Sequence, residues 1–186
     1  MIVNQMYWFA ARTRANQEIS LRESLKKLNV AFFLPTQFVT RIYSDRRKRV
    51  EVPVISNLIF VKCTKADAFA LVKNYSLKLS YMKDIITGSL LVIPDQQMEH
   101  FMLAMNSSSA EASMCEGDTC LSKGDKVRVI KGDLTGFEGE LVRISGKTYV
   151  ILRIPQILTI SIKIPRNHLQ KLAPSVTGDK RNIELL

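Results

Sequence analysis

Hydrophobic and polar positions in the first 106 residues alternate between the period of a strand and that of a helix. Tyr7–Arg12 is an almost continuous apolar run, which predicts a buried strand. Three leucines in Ala15–Leu28 follow the i, i+4, i+7 spacing of a helix stripe, and Asn29 is a stop signal. Val30–Ser44 is rich in aromatic and β-branched residues and is interrupted by Pro35. It therefore predicts two strands separated by a break.

A charged hairpin follows this pair of strands. Asp45–Arg49 is its expected tip, and Val50–Lys62 returns as a strand in which Pro53 marks an edge or a bulge. Further along, the apolar residues at 77–82 and 90–93 predict two short strands.

Two more helices are expected in this part of the chain. Thr64, with an aspartate three residues later, predicts a capped helix start, and the helix should run to about Asn74. Pro94 precedes a second helix, because four apolar residues after it share one helical face: Met98, Phe101, Met102 and Met105. We therefore expect an α+β sandwich with a mostly antiparallel sheet over residues 1–106, because helices alternate with groups of strands along this part of the chain.

The second part of the chain has a different pattern. Residues 107–122 are small, polar and acidic without periodicity, which predicts a flexible linker. From Lys123 the chain contains only short strand patterns, and we expect a small β-barrel over residues 123–172. Residues 173–186 are expected to form a loose tail.

Composition narrows the class of protein. The 186 residues carry a net charge of +10, which favours a polyanionic partner such as nucleic acid. No apolar run reaches 18 residues, so no membrane span is expected. Cys115 and Cys120 have no nearby histidine that could complete a zinc site, so we expect no metal and no cofactor. Three cysteines, an odd number without a dense framework, predict reduced thiols in the cytoplasm. His100 and His168 have no nucleophile pattern near them, and the sequence predicts no enzyme.

A glycine-spaced motif dominates the second part. The stretch KVRVIKGDLTGFEGELVRISGKTYVILRI between Lys126 and Ile154 has alternating valines, a turn at 132–136 and Gly139 inside a strand pattern, where glycine marks a bulge or a close backbone approach. This pattern resembles a KOW motif, which is an SH3-like barrel segment of ribosomal proteins and of NusG-type transcription factors. The alternative interpretation of this stretch is an ordinary turn of a small β-barrel that is not a KOW motif.

The first part resembles the opening domain of the NusG family. The run WFAART at 8–13 is similar to that family's W-Y-x-x-R-T strand, and FLP at 33–35 is similar to its F-x-P. PVISNLIFV at 53–61 stands where the family carries P-L-F-P-G-Y-V-F-V. The runs NLIFV at 57–61 and IPDQQME at 93–99 are more similar to the specialised paralogues, including the antiterminators of capsular-polysaccharide operons in Bacteroides-type bacteria. The resemblance covers residues 6–172.

This resemblance implies a docking surface for RNA polymerase. Family members bind the clamp-helix coiled coil of the polymerase through an apolar surface of the first domain. The matching residues are Trp8, Ile55 and Leu58, with Tyr7 and Phe60 as weaker candidates. Because Ile55 and Leu58 flank a break in the strand, we expect them at an exposed interface. For Phe60, burial in the core is the favoured interpretation.

The resemblance also implies contacts with the DNA of the transcription bubble. The candidate residues are cationic: Arg12, Arg14, Arg22, Arg46, Arg47, Lys48 and Arg49. The last four would grip phosphates at the hairpin tip, without reading the base sequence. The alternative is a solvated charged hairpin that protects a sheet edge from pairing.

The family's KOW domain contacts a further partner, either a small-subunit ribosomal protein or the termination factor Rho. The matching residues lie in the turn and are Gly132, Leu134 and Gly136. Leu134 would be an exposed apolar contact, and packing against the barrel rim is the equal alternative.

The leading hypothesis is a monomeric antitermination factor that acts on particular operons. A ribosome-associated or RNA-binding KOW protein with an unrelated first domain is the second hypothesis, and an enzyme is a distant third.

Overall fold

The computed structural model of the chain describes residues 5–106, 113–115, 124–132, 134–144, 147–154 and 156–172. The chain divides into two compact units, with the main division between Ser108 and Ser109. No helix of the described residues is long and apolar enough to cross a membrane.

The first unit is an α+β structure around an antiparallel sheet. Its elements in chain order are β1 (Tyr7–Thr13), α1 (Glu18–Lys27), β2 (Ala31–Phe33), β3 (Thr36–Ile42), β4 (Arg47–Pro53), β5 (Leu58–Cys63), α2 (Lys65–Lys73), β6 (Leu79–Tyr81), β7 (Val92–Ile93) and α3 (Asp95–Asn106). The main sheet has the order β2-β5-β1-β6, and β7 also pairs with β1. The register of β1 and β5 places Trp8 opposite Lys62 and Ala10 opposite Phe60.

The helices form where the sequence predicts them, for identifiable local reasons. In α1, Leu21 and Leu25 are buried, and the chain leaves the helix through Asn29 at φ +52°, a left-handed conformation that asparagine tolerates. In α2, the Thr64 hydroxyl accepts a hydrogen bond from the Asp67 backbone N–H at 3.1 Å, which confirms the predicted cap. In α3, the buried stripe is Met98, Phe101 and Ala104.

Helices cover both faces of the main sheet. One face carries Phe9, Ala11 and Val61, which form a core with the buried leucines of α1 and with Ala68 and Leu71 of α2. The other face carries Trp8, Ala10 and Phe60, and α3 packs on it. The Phe101 ring lies 5.0 Å from the Phe60 ring and 5.5 Å from the Phe33 ring, centroid to centroid. A sheet covered on both faces explains why β1 is apolar at almost every position.

The hairpin β3–β4 is a separate two-stranded sheet. The prediction of one strand over Val50–Lys62 is wrong, because the chain turns at 54–57 and β4 and β5 join different sheets. Asn57 adopts φ +60° in this turn, and the buried Glu18 carboxylate accepts a hydrogen bond from its backbone N–H at 2.9 Å. The hairpin tip also differs from the prediction: the strands end at Ile42 and Arg47, so three of the four expected tip cations lie on β4.

The second unit is a six-stranded sheet. Its strands are β8 (Ser113–Cys115), β9 (Lys126–Val129), β10 (Glu138–Ile144), β11 (Lys147–Ile154), β12 (Leu158–Lys163) and β13 (Leu169–Lys171). They have the order β13-β9-β10-β11-β12-β8. A Cβ atom on Gly139 would lie 2.5 Å from the Ile151 carbonyl oxygen, so the predicted close backbone approach is confirmed.

The predicted linker is only partly described. Ser113–Cys115 forms the edge strand β8, which pairs with β12. Its three residues are too few to show a periodicity in the sequence. The remainder of 107–122 and the predicted tail 173–186 lie outside the described residues.

Candidate functional site

The β3–β4 hairpin carries the densest positive charge of the first unit. Its register pairs Ile42 with Arg47 and Thr40 with Arg49 on one face, and Arg41 with Lys48 on the other. All six side chains are exposed. Since paired residues share a face and residues two apart on a strand do so as well, the cations divide between two chemically different surfaces.

We call the first surface the Phe38 face; it comprises Phe38, Thr40, Ile42, Arg47 and Arg49. Phe38 is 60% exposed and Ile42 is 75% exposed. The Arg49 guanidinium carbon lies 4.7 Å from the centroid of the Phe38 ring, which is cation–π geometry. This face combines exposed apolar and aromatic groups with two cations.

The opposite surface, which we call the Arg41 face, carries two exposed cations, Arg41 and Lys48. Val39, Val50 and Val52 lie on the same face and are half-buried. It therefore has the same number of strand cations as the Phe38 face but no aromatic ring.

Arg22 does not belong with the exposed cations, contrary to the prediction. Its guanidinium donates two hydrogen bonds to the Glu51 carboxylate, one of them from Nη2 to Oε2 at 3.0 Å. The guanidinium, followed by a hydrogen bond from Thr36, lowers the pKa of Glu51 to about 2. Arg22 also contacts Glu23 at 3.0 Å. The physical reason for the difference is that a half-buried guanidinium has lost part of its hydration, and the two charge-assisted hydrogen bonds to Glu51 replace it. Arg22 thus joins α1 to the base of the hairpin.

Arg12 and Arg14 lie where β1 ends, in a shallow cleft of about 320 Å³ that is also lined by Lys78. The cleft forms because β6 pairs with β1, with Arg12 opposite Ser80. Both arginines and the lysine are exposed, and none of the three forms an ion pair within the part of the chain that the structure describes. The structure therefore adds Lys78 to the predicted cations. No local signal could have found it, because 64 residues separate it from Arg14.

The apolar residues predicted for polymerase binding are not an exposed patch. Trp8, Ile55 and Leu58 are only 7%, 8% and 6% exposed. The expectation that Ile55 and Leu58 are exposed is wrong. Leu58 lies on the same sheet face as Trp8, and α3 packs on that face. Ile55 is buried in the turn between β4 and β5. Their small residual exposure still differs from that of Phe9 and Phe60, which have none.

The two weaker candidates for polymerase binding, Phe60 and Tyr7, lie in different environments. Phe60 is fully buried, so its favoured interpretation as a core residue is confirmed. Tyr7 pairs with Cys63 on the opposite face of the sheet from Trp8, and its hydroxyl donates to the Gln5 side chain at 2.8 Å. The structure therefore does not bring Tyr7 together with the other candidates.

In the second unit, the predicted turn is held by its backbone. Gly132 and Gly136 both adopt φ +88°, and the Gly136 N–H donates to the Val129 carbonyl at 2.8 Å. Leu134 is only 7% exposed, so of its two interpretations packing is confirmed. The exposed apolar residue beside this turn is Ile130, at 42%, which the sequence reasoning missed.

No cluster of three or more potential metal ligands occurs among the described residues. The Phe38 face and the cleft at Arg12 and Arg14 present exposed cations, which are groups that contact phosphates.

Comparison with known proteins identifies the family. A family model described as transcription termination factor nusG matches residues 6–102. No curated protein sequence matches the chain. A solved structure of Thermotoga maritima NusG has a TM-score of 0.52 at 13% identity and covers 91% of this chain and 98% of its own, which shows a shared fold. A structure of the MjSpt4:Spt5 complex aligns over 89% of this chain and 97% of the matched chain at 18% identity, but its TM-score of 0.26 is too low to indicate a shared fold.

The antiparallel α+β unit with a basic hairpin thus defines a NusG-type N-terminal fold. Because the family model matches more than half of the 186 residues, the chain belongs to the NusG family of transcription factors.

Proposed function

We propose that the chain is a specialised NusG-type elongation and antitermination factor of the cytoplasm, which binds RNA polymerase through its first unit and promotes read-through of particular operons. The observation that carries the proposal is the family match over residues 6–102, which span the whole sheet of the first unit and most of α3. The same match argues against a ribosomal or RNA-binding protein with an unrelated first domain.

The proposed polymerase contact lies at the margin of the core. Trp8, Ile55 and Leu58 retain 6–8% exposure, so a partner helix would touch their edges while the sheet and α3 hold them in place. Such a surface is rigid before binding, which lowers the entropic cost of association.

Nucleic acid is the proposed second contact of the first unit. The Phe38 face, the hairpin tip with Arg46, and the cleft with Arg12 and Arg14 present exposed cations that suit phosphates of DNA at the transcription bubble. The second unit is proposed as a KOW domain whose turn at 132–136 binds a small-subunit ribosomal protein or Rho.

Binding of the full chain to purified RNA polymerase tests the proposal. Ile55→Ala should weaken binding by about tenfold, which corresponds to about 1.4 kcal/mol. Ile59→Ala is the matched control, because Ile59 lies in the same region but is fully buried. It should lower stability without weakening binding at a temperature where both variants are folded. No binding by the wild-type chain, or equal binding by Ile55→Ala and Ile59→Ala, would refute the assignment.

A further inference from the structure

The Phe38 face carries an unusual combination for a surface that only grips phosphates. A phosphate contact requires cations, but Phe38 on β3 presents an aromatic ring that is 60% exposed, on the same face of the hairpin as Arg47 and Arg49 of β4. Exposing an aromatic ring to water has a free-energy cost that a solvated charged hairpin would avoid with a polar residue. The Arg49 guanidinium carbon also lies over this ring, 4.7 Å from its centroid. Aromatic rings and arginine guanidinium groups are the side-chain groups on which an unpaired nucleic-acid base stacks.

The charges around this platform favour a polyanion. No ion pair joins Arg47 or Arg49 to a carboxylate among the described residues, so both remain available to phosphates. Glu51, which lies opposite Phe38 in the register, would repel a phosphate. Its carboxylate is instead held by two hydrogen bonds from Arg22. The neighbouring acid is therefore neutralised within the protein.

We propose that the Phe38 face is a binding site for single-stranded nucleic acid, in which an unpaired base stacks on Phe38 and Arg49 while Arg47 contacts the adjoining phosphate. A base inside a duplex has its faces covered by neighbouring bases and is not available to the ring, so single strands are preferred over duplex. This inference rests on the proposed contact between the hairpin and nucleic acid. It adds that the bound nucleic acid is single-stranded and that Phe38 stacks on one of its bases.

Fluorescence anisotropy with the full chain and labelled 15-mers of oligo-dT, oligo-U and duplex DNA tests the site. Phe38→Ala should weaken binding of the single strands by about 5- to 150-fold, the range for removal of one stacked base, and change duplex binding less than twofold. Phe69→Ala is a matched control, because Phe69 is 56% exposed but lies on α2. Phe38→Trp should retain binding. The oligo-dT and oligo-U arms identify whether DNA or RNA is preferred.

Paired charge variants provide an independent test. The double variant Arg47→Ala/Arg49→Ala should bind single strands with a weaker salt dependence. The slope of log affinity against log salt concentration should become less steep by about 0.7 for each phosphate contact that is lost. The double variant Arg41→Ala/Lys48→Ala removes the same charge from the Arg41 face and should change this slope less. Unchanged single-strand binding by Phe38→Ala, equal weakening by the two double variants, or duplex binding as tight as single-strand binding would overturn the site.

Polymerase binding separates this inference from the proposed function. Phe38→Ala should bind purified RNA polymerase without nucleic acid as the wild-type chain does. If the chain binds oligo-dT through Phe38 but does not bind polymerase, the proposed function fails and the site stands. If it binds polymerase and Phe38→Ala leaves single-strand binding unchanged, the site fails and the proposed function stands.

Discussion

The contact between Arg22 and Glu51 predicts a specific loss of stability when its charge is removed. Glu51→Gln keeps the size of the side chain but replaces a carboxylate that accepts two hydrogen bonds from the guanidinium. Arg22 would then be left half-buried beside a neutral amide. We expect the first unit to be less stable at neutral pH and the hairpin to be held less firmly against α1.

The magnitude follows from the pKa of Glu51, which is lowered from 4.5 to about 2. At about 1.36 kcal/mol per unit this corresponds to about 3 kcal/mol. The two side chains are 18% and 26% exposed, so screening by solvent leaves about 1–2 kcal/mol. Because the folded-state pKa is depressed, this stabilisation is fully present above pH 4.5 and is lost as the pH falls towards 2. Glu51→Gln should remove that part of the pH dependence.

Urea unfolding followed by fluorescence measures this change in the full chain, because its single tryptophan, Trp8, reports on the first unit. A double-mutant cycle with Arg22→Ala isolates the pairwise energy. Glu23→Gln is a matched control, because Glu23 also contacts Arg22 but its side chain is 49% exposed, and it should have the smaller effect. Wild-type stability of Glu51→Gln at pH 7, or a coupling energy near zero, would refute the reasoning.

Three further changes test the packing. Leu58→Asp should cost more than about 3 kcal/mol and unfold the first unit in circular dichroism, because it buries an unpaired charge; a native spectrum and melting temperature would contradict the burial. Leu134→Ala should lower the free energy of unfolding of the second unit by about 2–5 kcal/mol in thermal unfolding, and a loss under about 1 kcal/mol would contradict the burial of Leu134. Gly139→Ala should cost about 1–3 kcal/mol, because its methyl would meet the Ile151 carbonyl; amide NMR shifts confined to the substituted residue would contradict that clash.

Local signals predicted the elements of the fold well. The leucines of α1 and the Thr64 cap of α2 act within one or two helical turns, so the sequence around them contains the relevant information. Gly139 is a similar case, because a glycine inside a strand pattern indicates close backbone approach before the neighbouring strand is known.

Features that depend on distant residues were not predictable in the same way. Leu58 has the pattern of an exposed docking residue until α3, more than 35 residues later, covers its face of the sheet. Arg22 has the pattern of a free cation until the hairpin brings Glu51 to it across 29 positions. Lys78 has no distinguishing neighbours and joins the cleft only through the pairing of β6 with β1.

Co-purification from the native host tests the central claim most directly. The full chain carrying an affinity tag should recover the large subunits of RNA polymerase, and the Ile55→Ala variant should recover less of them at equal expression. Recovery of ribosomal subunits without polymerase would contradict the claim that this NusG-family chain acts on the elongating polymerase.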